Sequence, residues 1–503
     1  MNANAASQEW FGHPRGLSTL FFTEFWERLS YYGMRAILVL FMVDQVETGG
    51  FGLTDGTAAA IYGLYAAGVY LFALPGGWVA DRLIGQQAAV FWGGIIIAAG
   101  HLTMALPIIP GLASVEHVSF FAGLVLIVIG TGLLKPNVSA IVGQLYTEKG
   151  ARRDAGFSIF YMGINLGAFG GPLLCGWLGE GINWHLGFSA AGFGMIFGVI
   201  QYKLGLKYLG DAGALSTEPK DVASRPAAWS QLWAAVGAII ATGVVLFFLR
   251  DSLGLTLERM AQATGVVIVG VAILYFGSIL FFGGLTTQEK KRIVVIFLLF
   301  LGAAMFWSGF EQAGSSMNLF AERYTDRMVG NWEMPASFLQ SVNPLFIIIF
   351  APVFGWLWVA LASREPSIPM KFGLGLALLG AGFLVMSWGS TYIPDNPDGV
   401  SPMWLVVTYF LHTAGELCLS PVGLSGITKL SPERLVGQMM GTWFMGAALG
   451  NLIAGLVAGR IESMPLPELF GTVATIVIVA GAVFIIFTIP IKALIGNLKE
   501  EAT

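Results

Sequence analysis

Long apolar runs recur along this chain from about residue 17 to about residue 495, and they restrict its fold more than any other feature. A helix needs about 20 mostly apolar residues to cross the ~30 Å hydrocarbon core of a bilayer. The composition agrees, since 56% of the 503 residues are hydrophobic, only 11% are charged and the mean hydropathy is +0.74. We therefore expect an all-α polytopic membrane protein with about fourteen transmembrane helices. The predicted spans are 17–43, 57–80, 87–108, 117–145, 155–179, 185–208, 228–249, 261–284, 292–318, 337–361, 370–393, 403–429, 435–459 and 469–495.

The positions of the basic residues give the orientation. Most of the 26 Lys and Arg residues, Lys149 and Lys499 among them, fall on the side of the predicted spans that also holds the N-terminal segment. Cytoplasmic loops of membrane proteins carry the excess of positive charge. Both termini are therefore predicted to be cytoplasmic.

A polar linker from Asp211 to Ala228 divides the chain. The two runs that follow it, 228–249 and 261–284, contain almost no polar side chains, unlike the runs before and after them. We predict an N-terminal six-helix bundle at 1–210, a linker with an inserted transmembrane hairpin at 211–289, and a C-terminal six-helix bundle at 290–503. The alternative is a set of fourteen equivalent helices.

Several functional classes are disfavoured by the composition. There is no basic tract with interleaved aromatic residues, so a nucleic-acid partner is not expected. Both cysteines, Cys175 and Cys418, lie in apolar runs, which argues against a disulfide framework. The five histidines show no metal-ligand spacing, and no nucleophile–base set suggests an enzyme. We expect no metal, no cofactor and no catalytic residues.

The first span carries a stripe of polar side chains that should not face lipid. Counted from the first glutamate, they recur at offsets of three, four, seven, eight and eleven residues, which places them on one face of a helix. Each charge at the centre of a bilayer costs at least ~2.5–3.5 kcal/mol. The stripe predicts either a site for a charged solute or a structural salt-bridge cluster. Its members are Glu24, Glu27, Arg28, Tyr31, Tyr32 and Arg35.

Other polar residues interrupt apolar runs in the first half. Lys135 precedes Pro136, which is predicted to break its helix, and its ammonium could point into a central cavity or extend to the inner surface. Asn165 could bind an amide or carboxylate, and a helix–helix hydrogen bond explains it equally well.

The second half contributes carboxylates. Glu311 is predicted near the outer end of its span, either exposed at the rim or paired with Arg35. Asn343 precedes Pro344, which predicts a kink within that span. Glu416 lies in mid-span with Ser420 one turn away, and a buried carboxylate requires a cation, either Lys135 or a substrate ammonium. Trp443 could line a cavity or simply pack against neighbours.

The loop GGWVADRLIGQQ has the spacing G-x-x-x-D-R-x-x-G at Gly77, Asp81, Arg82 and Gly85, which resembles the cytoplasmic loop of the major facilitator superfamily. Within that superfamily the chain resembles the proton-dependent oligopeptide transporters. The similarity runs through nearly the whole chain, in FGHPRGLSTLFFTEFWERLSYYGMRAILV, GGWVADRLIG, GTGLLKPNVS, RDAGFSIFYMGINLGA, the FW…EQ stretch at Glu311, QSVNPLF and TAGELCLSPVGLS.

The resemblance implies a major facilitator fold and a proton-coupled symporter that imports di- and tripeptides across the plasma (inner) membrane by alternating access. The proton would be the coupling ion, and a monomer would be the functional unit. A same-fold carrier of nitrate, a drug or another small solute is the alternative. The implied proton-coupling residues are Glu24, Glu27, Arg28 and Glu311. The implied peptide-binding residues are Arg28, Tyr31, Tyr32, Tyr70, Lys135, Asn165, Asn343, Glu416 and Trp443, beside which Ser420 is a candidate. The implied gate salt bridge is Arg35–Glu311, and we hypothesise a second gate salt bridge between Lys135 and Glu416 when no peptide is bound.

One departure from the family pattern stands in the second span. Mammalian members have a histidine where this chain has Gly63. Proton coupling is therefore expected to depend on carboxylates.

Overall fold

The computed structural model describes residues 9–146 and 150–496, and most of this chain is α-helical. Lys149 and Lys499, used above for the orientation, lie outside the described residues. A helix of 19 residues or more coincides with each predicted span. In chain order the helices are α1 Gly16–Val43, α2 Asp55–Val79, α3 Gln86–Met104, α4 Glu116–Gln144, α5 Ala151–Gly179, α6 Trp184–Gly205, α7 Pro219–Leu249, α8 Leu257–Phe282, α9 Thr287–Phe310, α10 Ser316–Tyr324, α11 Val342–Leu361, α12 Ile368–Ser390, α13 Met403–Leu430, α14 Val436–Ala458, α15 Leu466–Ile486 and α16 Thr488–Ile495.

The helices confirm the all-α polytopic fold. Among the described residues, 12 helical segments are long and apolar enough to cross a membrane. Helices α1 and α6 are not among these 12, although they contain 28 and 22 residues and so are long enough at ~1.5 Å per residue. The charged stripe lowers the apolar character of α1. Two short hairpins lie outside the helices: β1 Glu9–Trp10 with β2 His13–Pro14 precedes α1, and β3 Met328–Val329 with β4 Trp332–Glu333 lies between α10 and α11.

The helix boundaries follow local capping chemistry. The Thr286 side chain accepts a hydrogen bond from the Glu289 amide, and the Glu289 carboxylate accepts one from the Thr286 amide, so a capping box starts α9. Helix α7 begins at Pro219, nine residues before the predicted span. Proline is favoured in the first turn of a helix because its fixed φ suits the helix and its missing N–H is not needed there.

Two predicted helix interruptions are wrong in detail. Pro136 lies inside the continuous helix α4, and the amide of Asn137 donates a 2.7 Å hydrogen bond to the Leu133 carbonyl. Pro344 lies in the first turn of α11 rather than at a mid-span kink, because the residues before it form a 3₁₀ helix, Ala336–Ser341. The span predicted at 292–318 is instead interrupted: α9 ends at Phe310, a 3₁₀ turn covers Glu311–Gly314, and α10 follows.

The chain forms two compact units. One contains the described residues up to Met34 together with those of Gly68–Met260, and its core includes Leu20, Ile97 and Val138. The other contains Arg35–Ala67 together with the residues from Ala261 onward. The division of the chain into 1–210, 211–289 and 290–503 stays a prediction.

The inserted helices differ from the others in burial. Of the described side chains in α7, only Ala228 is buried, and the most apolar window of this helix has no buried residues. In the corresponding window of α8, 22% of the residues are buried. Their many exposed apolar side chains suit contact with lipid acyl chains.

Glycine contacts hold α2 and α14 at backbone distance within the second unit. A Cβ atom placed on Gly455 would lie 2.5 Å from the Ala59 carbonyl oxygen and 2.8 Å from the Gly63 Cα. Small residues allow transmembrane helices to approach this closely. This contact explains the small residues on the outer part of α2.

We expect Gly455→Ala to destabilise the protein by about 1–3 kcal/mol, because the added methyl group forces the two helices apart. The measurement is the thermal unfolding midpoint in detergent. Gly437→Ala is the matched control on the same helix, since a Cβ there meets nothing within 4 Å. Equal midpoints for the two variants would contradict the close-contact interpretation.

Candidate functional site

Helix α1 places three charges of the stripe in direct contact. The Arg28 Nε atom lies 2.7 Å from Glu24 Oε1 and 2.8 Å from Glu27 Oε2, and all three side chains are at most 5% exposed. Glu24 Oε2 and Glu27 Oε1 have no hydrogen-bond partner among the described residues. Two carboxylates thus share one guanidinium in a buried position, so the three charges alone sum to −1 when both acids are ionised. Such a cluster can take up a proton.

Lys135 adds a second cation to this side of the chain. Its ammonium lies 4.0 Å from the centre of the Tyr70 ring, and it interacts electrostatically with Glu27. A cation over an aromatic face is stabilised by the ring quadrupole.

Asn165 is buried, and its amide donates a 2.9 Å hydrogen bond to the Tyr161 carbonyl of its own helix. The Asn165 oxygen is an additional polar group available to a ligand.

Arg35 and Glu311 form a buried ion pair in the second unit. The Arg35 Nη1 and Glu311 Oε2 atoms are 3.0 Å apart, and both side chains are at most 5% exposed. Glu311 lies at the interruption between α9 and α10, and Tyr62 donates a 3.3 Å hydrogen bond to its carbonyl. Gly314 leaves room for both partners, because a Cβ there would be 2.3 Å from the Tyr62 hydroxyl and 3.0 Å from Arg35 Nε. The structure thus contains the ion pair that the sequence predicts, and its gating role stays a prediction.

Glu416 lies in the middle of α13 with a polar neighbour. Glu416 is 9% exposed, and its Oε2 atom has no hydrogen-bond partner among the described residues. Asn343, which hydrogen-bonds to Glu416, also donates a 2.9 Å bond to the Thr413 hydroxyl. A buried carboxylate oxygen without a partner is costly unless a cation binds to it. This is the chemistry that an ammonium ligand would satisfy.

The remaining predicted residues have different environments. Tyr31 is buried and lies beside Tyr32 on α1, with the Arg28 guanidinium 5.7 Å from the Tyr31 ring centre. Ser420 is half-buried one turn after Glu416. Trp443 is 6% exposed and packs against Phe372 and against Gly423, where a Cβ would meet its ring at 2.2 Å. The tryptophan therefore has a packing role in the structure.

A second ion pair in this unit was not predicted from the sequence. The Arg323 Nη1 and Nη2 atoms donate to both Asp55 oxygens at 2.6 and 2.7 Å, and Asp55 is 1% exposed. An acidic residue in the first turn of a helix is a recognisable feature, because it complements the helix dipole. Its partner lies 268 positions away, which no local pattern reveals.

The structure also explains why a glycine, Gly63, occupies this position of the second span. A Cβ on Gly63 would lie 3.3 Å from the Gly455 Cα and 3.3 Å from the Leu452 carbonyl oxygen. A side chain at this position therefore requires the neighbouring backbone of α14 to move by a few tenths of an ångström. No cluster of three or more His, Cys, Asp or Glu side chains suited to a metal ion occurs within residues 9–146 and 150–496.

Comparisons with known proteins point to one family. The POT family model matches residues 87–473. The chain is 43% identical to a peptide transporter of Yersinia enterocolitica over 506 residues, covering 98% of this chain and 97% of that one. It is 37% identical to a di-/tripeptide transporter of Lactococcus lactis over 512 residues, covering 99% and 100%. A solved structure of a mutant peptide transporter POT in complex with alafosfalin has 40% identity and a TM-score of 0.86, and 98% of each chain is covered.

Proposed function

The chain belongs to the POT family, and we propose that it is a multi-pass plasma-membrane symporter that carries di- and tripeptides together with protons. The printed names of its relatives, which are peptide and di-/tripeptide transporters, support this substrate class. The observation that carries the proposal is the buried Glu416 carboxylate, whose Oε2 atom has no hydrogen-bond partner in the described part of a chain that also buries Arg28.

The distribution of charge fits a zwitterionic peptide. Arg28 and Lys135 supply cations for the peptide carboxylate, whereas Glu416, with Asn343 beside it, supplies an anion for the ammonium. Holding only the two termini leaves side chains of different size unrestrained, which a carrier of many peptides requires. A nitrate carrier would have no use for Glu416.

Proton uptake follows from the same charges. Glu24, Glu27, Arg28 and Lys135 together are neutral when both acids are ionised. A peptide carboxylate that enters this group adds one negative charge, so peptide binding favours protonation of one glutamate. Because a dipeptide is net neutral, the bound proton makes import respond to the membrane potential by ~2.3 kcal/mol per 100 mV.

We propose that the protein needs no other cofactor, catalyses no covalent chemistry and works as a monomer. Arg35–Glu311 would close the outer side, and protonation of Glu311 would release it. That Lys135 and Glu416 pair when no peptide is bound stays a prediction.

Competition in liposomes tests the substrate class. Exchange of labelled dialanine across the membrane should be inhibited by unlabelled dialanine and trialanine but not by free alanine or tetraalanine. Inhibition by nitrate with no effect of dipeptides would favour the alternative carrier.

We expect Glu311→Gln to retain dialanine exchange at equal pH but to lose at least about 90% of uphill accumulation driven by a pH gradient. The neutral amide cannot bind or release a proton, whereas exchange requires no net proton movement. Both rates are measured on one batch of liposomes. Accumulation at the wild-type level would refute the coupling role of Glu311.

A further inference from the structure

The carbonyl of Ala36, the residue after Arg35, accepts hydrogen bonds from two side-chain amides. The Asn318 Nδ2 atom donates to it at 2.7 Å and the Gln340 Nε2 atom at 3.4 Å. All three residues are buried: Ala36 is 0% exposed, Asn318 is 1% exposed and Gln340 is 8% exposed. A carbonyl oxygen has two lone pairs, so it can accept one side-chain bond in addition to a helical one, and the short bond from Asn318 is the stronger of the two side-chain contacts.

These contacts bear directly on the Arg35–Glu311 pair. Asn318 lies on α10, seven residues after Glu311 and beyond the interruption that ends α9. The stretch 311–318 therefore makes two contacts with this part of α1. Glu311 pairs with the Arg35 guanidinium, and Asn318 donates to the adjacent peptide group. The second contact fixes the backbone from which the arginine side chain extends.

The two contacts respond differently to protons. A neutral amide donates to a carbonyl at any physiological pH, whereas the Arg35–Glu311 attraction requires an ionised carboxylate. The Asn318 contact therefore stabilises, independently of pH, the closed arrangement in which the ionised pair forms, and it is lost when that arrangement opens.

We propose that Asn318 is a positioning residue that sets the pH at which the Arg35–Glu311 pair opens, an inference that rests on the proposed function. Without its amide, the outer part of α1 is held less firmly and the ionised pair is weaker, so the pair opens at a higher pH. Other titratable or charged groups near this pair are left in place by a change at Asn318; they are Tyr62, Tyr409 and Glu416.

Asn318→Ala tests this inference. We expect the midpoint of the pH dependence of proton-driven dialanine uptake to move to higher pH by about 0.5–1 unit, the effect of losing one hydrogen bond that favours the ionised pair. Asn451→Ala is the matched control, because the amide of this equally buried asparagine donates to the Ala447 carbonyl of its own helix, at 2.9 Å. The control should leave the midpoint unchanged.

A double variant separates positioning from general damage. In a Glu311→Gln background, Asn318→Ala should leave dialanine exchange within about twofold of the single variant, since the pair it positions is already neutralised. An unshifted midpoint, the same shift in Asn451→Ala, or an equal loss of exchange with and without Glu311 would overturn the inference.

A further variant keeps the test decisive if Asn318→Ala does not fold. Gln340→Ala removes the longer of the two bonds and should move the midpoint in the same direction by a smaller amount, and no movement would then overturn the inference. Failure of the wild-type protein to exchange dialanine would refute the proposed function instead.

Discussion

Glu27→Gln will reduce proton-driven dialanine uptake by more than about tenfold and flatten its pH dependence, and Glu24→Gln will do the same. Both carboxylates contact one buried guanidinium, and each has an oxygen without a hydrogen-bond partner among the described residues. Replacing one of them with a neutral amide leaves Arg28 paired with the other. The fold should therefore survive, while the group loses an acid that takes up a proton when the peptide carboxylate binds.

The measurement is the initial rate of uptake over a range of outside pH. Glu9→Gln is the control, because it removes the same charge from an ion pair with Arg152 whose side chains are 60% and 58% exposed. Exposed ion pairs contribute little, so this variant should behave as the wild type. A wild-type pH profile in Glu24→Gln and Glu27→Gln would refute the coupling role of the cluster.

Glu416→Gln will weaken the binding of ordinary dipeptides by about 10–100-fold and that of N-acetylated dipeptides by less than about threefold. A hydrogen bond to a charged group contributes about 1.5–3 kcal/mol, which corresponds to this range of affinity. The acetyl group removes the ammonium, so an N-blocked peptide has no charge to lose at Glu416. The buried Oε2 atom makes this carboxylate the group in the second unit best suited to an ammonium.

Inhibition constants for the two peptide classes, measured against exchange of labelled dialanine, decide this prediction. Each variant is its own control, because both peptides are tested on the same protein. Equal weakening of the two classes would indicate that Glu416 acts on the structure of the site and not on the ammonium.

The helices could be predicted well from the sequence because each one must be long and apolar enough to cross the bilayer and must pair its own backbone groups. Length and apolar character are local properties, so the spans and the buried stripe on α1 could be located without a structure. Local sequence also suggested the Arg35–Glu311 pair, since both charges fall near the outer ends of their spans.

Other features depend on contacts between distant parts of the chain. The helix interruption at Glu311–Gly314 could not be predicted from the local sequence, because its cause includes the packing of Gly314 against Tyr62 and Arg35. The predicted kink at Pro344 was wrong because the start of α11 depends on the preceding 3₁₀ helix. The contact of Asn318 with the Ala36 carbonyl joins residues 282 positions apart, and an asparagine in a polar stretch gives no local sign of it.

The central claim is that a proton gradient drives peptide import through this protein. Its most direct test is purified protein in liposomes with labelled dialanine outside and an imposed gradient, acidic outside. The account predicts accumulation above the outside concentration, which collapses when a protonophore dissipates the gradient, and no accumulation of free alanine. Equilibration of dialanine to the outside concentration, with or without the gradient, would contradict it.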